Sequence, residues 1–395
     1  MTRSLEDQKG RQACEILNEL DLDCWLVWVR ETSQVTDPVL PLIFGGDLVG
    51  QSALIFTKGG ERTAVVKDYD ATGVKARGLF DRVLPYTEGI RTPLLEELRR
   101  IEPGKIAVDF SETDVASDGL TVGMYRLLQR YLEETPYSER LVSAEGLIGR
   151  LRGRKLPDEI ERIQRAVEIT EAIFEDAKGF LKVGQTEIEI HRFFHERMKM
   201  LGVTDAWNGS HNPAVDAGPN KAFGHAGPTE NRTKAGHLLH FDFGVRYRGS
   251  CSDLQRLFFF GKPEAIPDEI RRAFETVRDA IAAAAAFIRP GRKGHEVDAV
   301  ARAFVVQRGY QEYGHALGHQ VGRQAHDGGT TLGPLWEYYG DSAKGVVECG
   351  NVFTLELYVA TEQYGQVSLE ENIVITEDGC RFLSCPQREV ICISS

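Results

Sequence analysis

The chemistry-bearing residues of this 395-residue chain gather in its C-terminal half. In residues 237–245, HLLHFDFGV, the apolar Leu239, Phe241, Phe243 and Val245 alternate with His240, Asp242 and Gly244. That period of two predicts a strand with Asp242 on the face opposite the apolar side chains. A turn at residues 246–249 follows, and a second strand is expected to begin near Cys251 and to carry Asp253. A lone aspartate on a strand is ordinarily solvated. Two of them in otherwise apolar strands need a partner, because a buried carboxylate is costly unless paired or bound to metal.

Residues 313–329, YGHALGHQVGRQAHDGG, hold His315, His319 and His326 among glycines that would break a helix. This is expected to be a loop or irregular strand beside a ligand. Spacing alone does not choose among the three imidazoles. Two more strands follow. In residues 350–359 Glu356 lies opposite the face of Phe353, Leu355 and Leu357, and in residues 367–375 Glu370 lies opposite Val367, Leu369 and Ile373. Four carboxylates and an imidazole form an oxygen-rich donor set suited to Mn²⁺, Co²⁺ or Zn²⁺ rather than to a thiolate zinc site. Two such cations would balance the negative charge. A water held between them loses its proton near neutral pH and can attack a carbonyl, so hydrolysis is the chemistry these residues point to.

Other elements must position this set. The first third reads as alternating α/β, with strands at residues 24–29, 52–56, 63–66 and 105–109 and a helix at 124–134. A basic run at 149–157 punctuates the chain, and the domain boundary is placed near 150. Beyond it the pattern is α+β. A helix opens at Pro157, a capping box Thr186–Glu189 opens another that runs to about 201, and further helices are expected at 267–288 and 297–308. The net charge of −12 argues against nucleic-acid binding and against a polybasic membrane contact. No apolar run approaches a membrane-spanning length, and there is no signal-type h-region. Seven cysteines, odd in number and without CxxC spacing, are expected to be reduced thiols, so the cytoplasm is the expected location.

The ordered set of motifs resembles the pita-bread metallopeptidases: prolidase, aminopeptidase P and methionine aminopeptidase. FDFGVRYRGSCSDLQRLFFFG is similar to that family's DFGxxxxGYxSDxTRTF, aligning Asp242, Asp253 and Arg256. GHALGHQVGRQAHDGG resembles HGxGHxxGxxVHDxGG, FTLEL resembles FTIEP, and VSLEENIVITEDG resembles VRIEDxVLVTEDG. The resemblance implies a pita-bread catalytic domain over 151–395 and a smaller creatinase-type α/β domain over 1–150. It implies two metal ions held by Asp242, Asp253, His319, Glu356 and Glu370. Asp242 would chelate one, His319 and Glu356 the other, with Asp253 and Glu370 bridging. Glu356 would also be the general base. His225, aligned through AGPNKAFGHAGPT, and His326 would assist at the substrate; His315 and Arg256 would line its pocket. The implied activity is hydrolysis of proline-containing peptides, as an Xaa-Pro dipeptidase in a homodimer. The alternatives are aminopeptidase P-like cleavage of longer peptides and a non-catalytic binding protein. Three positions depart from the pattern. Leu357 stands where proline is common, and His240 where an apolar residue is usual. Ser368 stands where many prolidases carry an arginine that holds a dipeptide's carboxylate; Arg323 or an arginine of the N-terminal domain is a candidate to replace it.

Overall fold

The computed structural model describes residues 3–219 and 226–394. The chain divides into two compact units, Met1–Arg152 and Gly153–Ser395. The first is built on a six-stranded mixed sheet of β1 (Cys24–Val29), β2 (Ser52–Thr57), β3 (Arg62–Lys67), β4 (Arg82–Tyr86), β5 (Ile106–Val108) and β6 (Leu141–Ser143), in the order β4-β3-β2-β1-β5-β6. β1 is buried along its whole length, which explains its unbroken apolar run. Helices α1 (Leu5–Glu19), α2 (Leu40–Ile43), α3 (Asp68–Arg77), α4 (Arg91–Ile101), α5 (Val122–Leu132) and α6 (Glu145–Gly153) accompany the sheet. Trp25, Val27, Leu54 and Phe56 pack with Ala13 and Leu17 of α1 on one side. Leu26, Trp28, Ile55 and Val65 pack with Leu94 of α4 and Leu128 of α5 on the other.

The second unit begins with α7 (Pro157–Phe180) and α8 (Glu187–Leu201). Pro157 occupies the first turn of α7, where its missing N–H costs nothing. The capping box that opens α8 is complete: Glu189 N–H donates to Thr186 Oγ1 at 3.1 Å and Thr186 N–H donates to Glu189 Oε2 at 2.8 Å. The strands follow as β7 (Thr204–Asp205), β8 (Ala214–Ala217), β9 (Leu238–Phe243), β10 (Val245–Tyr247), β11 (Ser250–Cys251) and β12 (Leu254–Phe260). After α9 (Asp268–Phe287) and α10 (Gly294–Gln307) come β13 (Val352–Ala360), β14 (Gln366–Ile375), β15 (Cys380–Phe382) and β16 (Ile391–Ile393). The main sheet runs β13-β14-β12-β9-β8, with β15 beside β14 and β16 beside β12. Its outer face is covered by helices. Ile163, Val167 and Phe174 of α7 and Phe194 of α8 pack on Phe241, Phe243 and Phe258. Ile270, Phe274 and Val277 of α9 pack on Leu355, Leu357 and Leu369. Alternation then leaves the polar positions of the same strands on the other face.

One expectation is corrected here. Asp253 is not within a strand: β10 and β11 form the short hairpin, and Asp253 sits in the break before β12. The helix expected at 297–308 begins earlier, at Gly294, because Glu296 accepts from Lys293 N–H and caps it. All seven cysteines are unpaired. Among the described residues, no helix is long and apolar enough to cross a membrane.

Candidate metal centre

One cross-strand row carries the carboxylates. Asp242 on β9 is paired with Gln255 on β12, Gln255 with Glu370 on β14, and Glu370 with Glu356 on β13. Asp253 lies two residues before Gln255. Its backbone is fastened to Asn372 on β14: Asp253 N–H donates to Asn372 Oδ1 at 3.1 Å, and Asn372 Nδ2 donates to Asp253 O at 2.7 Å. The register thus converges four acidic side chains from four separate segments.

The histidine loop is laid along β13. Thr354 N–H donates to His319 O at 3.0 Å, and Glu356 N–H donates to Leu317 O at 2.7 Å. His319 N–H donates to Thr354 Oγ1 at 3.1 Å. This approach requires Gly318, since a Cβ there would overlap the Thr354 carbonyl. His319 Nδ1 faces Gln320 O at 3.4 Å, so Nε2 is the nitrogen turned to the carboxylates. It lies 3.5 Å from Glu356 Oε1 and 3.8 Å from Asp253 Oδ2. The His326 ring stands edge-on to His319, centroids 4.1 Å apart. The next residue, Asp327, is pinned by buried Lys155 at 3.4 Å. His315 lies against Tyr358 with ring centroids 5.4 Å apart, and Arg302, clamped on Asp298, donates to its carbonyl at 2.6 Å.

The electrostatics call for positive charge. Burial, and then the charge of Glu356, push Asp242 up to about 7. Burial and the neighbouring carboxylates push Asp253 and Glu370 well above the usual carboxylate range. Glu356 is the exception. Burial raises it, but the His319 contact and the charges of His315, His319 and His326 outweigh that and hold it below the usual glutamate value. Asp242 Oδ1 and Glu370 Oε2 are buried without a hydrogen-bond partner, although buried polar atoms normally have one. Asp253, His319 and Glu370 each bring one ligand atom within 4.8 Å of the others. Hard oxygens, one imidazole and orphaned lone pairs fit divalent cations.

Comparison with known proteins agrees with this geometry. Residues 161–377 match metallopeptidase family M24. The chain belongs to family M24. It is 28% identical over 276 residues to the uncharacterised peptidase YqhT of Bacillus subtilis, covering 69% of this chain and 73% of that one. It is 31% identical over 238 residues to an uncharacterised peptidase of Staphylococcus aureus, covering 60% of this chain and 64% of the relative. Among solved structures, an Xaa-Pro dipeptidase from Bacillus anthracis superposes with a TM-score of 0.75 at 21% identity, over 98% of this chain and 99% of that one. A prolidase from Pyrococcus horikoshii superposes with a TM-score of 0.71 at 22% identity, over 97% and 100%. The fold is therefore the pita-bread arrangement with an N-terminal α/β domain, as the sequence motifs imply.

Within this M24 chain, Asp242, Asp253, His319, Glu356 and Glu370 share one site, with His315 and His326 beside it. Arg256 does not face it, which corrects its expected place in the substrate pocket. It is paired with Phe241 on the helix-covered side of β12. There its guanidinium is spent on Glu371, at 3.1 Å to each carboxylate oxygen, and on the Gln255, Glu370 and Cys385 carbonyls. His225 lies outside the described residues. Gln255, which the sequence reading passed over, stands in the middle of the row. Its pairing with Asp242 and Glu370 puts it on their face, and no local sequence pattern marks it.

Proposed function

We propose that the chain is a dinuclear metallopeptidase that hydrolyses Xaa-Pro peptide bonds. The observation that carries the reading is the carboxylate row, with buried Asp242 Oδ1 and Glu370 Oε2 left without hydrogen-bond partners in a donor set completed by His319. Asp242 would hold one cation, His319 and Glu356 the other, and Asp253 and Glu370 would bridge. When bound, two divalent ions, Mn, Co or Zn, supply an acidified water and polarise the scissile carbonyl. The chain's own residues do the rest. Glu356, held below the usual glutamate value, is an ionised carboxylate that would take a proton from the attacking water and pass it to the leaving nitrogen. His326, beside His319, would donate to the developing oxyanion, and His225 is assigned the same task by resemblance. His315 would line the pocket against Tyr358.

Proline specificity rests on the prolidase-like motifs and on the naming of the structural neighbours. Within it, one observation favours longer peptides over dipeptides. Ser368 is buried, and its hydroxyl is turned inward onto Gln255 Oε1 at 2.5 Å and Leu357 O at 3.1 Å, so position 368 offers a free carboxylate no cation. A homodimer in a reducing compartment such as the cytoplasm completes the reading, with light scattering as its check. The deciding experiment is a panel of Ala-Pro, Ala-Pro-Ala and non-proline controls with Mn²⁺, Co²⁺ or Zn²⁺. Cleavage at Xaa-Pro, faster for the tripeptide, is expected. No cleavage of any peptide with any of the three ions would sink the reading.

A further inference from the structure

Two of the departures from the family pattern, His240 and Ser368, meet on a third residue, Gln255, which stands where that pattern has threonine. His240 Nδ1 faces Asp216 Oδ2 at 3.0 Å, and His240 Nε2 faces Gln255 Oε1 at 3.0 Å. Ser368 Oγ donates to the same Gln255 oxygen. Gln255 Nε2 donates to Glu356 Oε2 at 3.0 Å. Five adjacent strands, β8, β9, β12, β14 and β13, each contribute one member. Asp216, His240, Gln255 and Ser368 are all at most 6% exposed.

The orientation of the Gln255 amide follows from the chemistry of the Glu356 end. A carboxylate only accepts, so Gln255 must present its NH₂ to Glu356 and its oxygen to the other side. With the amide reversed, two oxygens would face each other. The Gln255 oxygen therefore accepts from both Ser368 and His240, which places a proton on His240 Nε2. Asp216, likewise an acceptor, faces the other ring nitrogen, takes its N–H and fixes the ring's orientation, so both ring nitrogens donate. Glu356 then has each oxygen assigned: Oε2 to Gln255, and Oε1 toward His319.

We propose that Asp216, His240 and Ser368 act through Gln255 to orient the Glu356 carboxylate, making Gln255 a positioning residue of the centre. The proposal rests on the reading of Glu356 given above. His240 and Ser368 are in this account one device. A serine at 368 is small enough to leave room for the glutamine amide, and the histidine supplies the second donor that the amide oxygen requires.

The test uses the full chain stripped of cations. In nitrogen-15 spectra, His240 is expected to show a slowly exchanging Nε2–H, and Gln255→Leu is expected to abolish that slow exchange. Calorimetry with Mn²⁺ on the same preparations should show affinity weakened about 10- to 100-fold in Gln255→Leu. The Gln255→Leu/His240→Leu double variant should lose less than the sum of the two single losses, because His240 acts in part through Gln255 and in part by its charge on Asp242. In the loaded enzyme the loss should appear in kcat, with KM within about threefold of wild type. Additive losses in the double variant, or unchanged Mn²⁺ affinity in a folded Gln255→Leu protein, would overturn the proposal. If Gln255→Leu does not fold, Ser368→Ala serves instead and should move the His240 Nε2 resonance; an unmoved resonance overturns the proposal. A wild-type protein that binds no Mn²⁺ and cleaves no peptide defeats the reading of the site, while the His240 spectrum still decides the chain of hydrogen bonds.

Discussion

Glu356 and Glu370 stand directly opposite one another on the antiparallel pair β13–β14. Like charges so placed repel, and Glu370 is only 1% exposed, so water does not screen them well. A cation between them removes the repulsion and completes the orphaned Glu370 Oε2. Divalent ions should therefore stabilise the fold. At 100 times the dissociation constant the gain is about 2.7 kcal/mol per site. Thermal unfolding at increasing Mn²⁺ should show a rising midpoint, and a midpoint indifferent to millimolar Mn²⁺ would contradict the assignment.

Without cations, the same crowding makes stability depend on pH in an unusual direction. Asp242, at about 7, and the raised Asp253 and Glu370 keep protons in the folded state that the unfolded chain has released. Glu356 works the other way, but three raised groups oppose one lowered group. With more protons on the native state, stability falls as pH rises from about 4 to about 7, by up to about 1.4 kcal/mol per pH unit for each such proton. Saturating Mn²⁺ should flatten or reverse the trend, since the ion takes the protons' place. Urea unfolding between pH 5 and pH 8, with and without Mn²⁺, reads this out. Equal stability of the cation-free protein at both ends would refute it.

Arg256 should matter for stability rather than for substrate. Its guanidinium neutralises buried Glu371, and removing one partner of such a pair strands the other. Arg256→Met is expected to cost about 3–5 kcal/mol in urea unfolding. In the folded fraction, KM for an Xaa-Pro peptide should be unchanged. A raised KM with unchanged stability would return Arg256 to the substrate pocket.

The ease of reading the site from sequence followed from strand alternation. Asp242, Glu356 and Glu370 each interrupt an apolar period of two, so their common face was legible before the strands were paired. Arg256 opposes Phe241, the neighbour of Asp242, and so falls on the other face; the motif alignment alone put it in the pocket. Asp253 was legible as a ligand candidate but not as a break in the strand, because its tether, Asn372, is 119 residues away. Gln255 and Asp216 were silent for a related reason. Their roles exist only through partners on other strands: Glu356, 101 residues beyond Gln255, and His240, 24 beyond Asp216. Which histidine turns its nitrogen to the carboxylates depended on Gly318 and the Thr354 contacts, which no local pattern encodes.

The most direct test of the central claim is the cation content of Asp253→Asn beside the wild type. Asp253 is assigned to bridge, and its backbone is held by Asn372 whatever its side chain, so the fold should survive the change. Elemental analysis after dialysis against Mn²⁺ should find about two ions per wild-type chain and fewer in the variant, with Xaa-Pro hydrolysis reduced at least about 100-fold. Equal metal content and undiminished hydrolysis in a folded Asp253→Asn protein would contradict the dinuclear account.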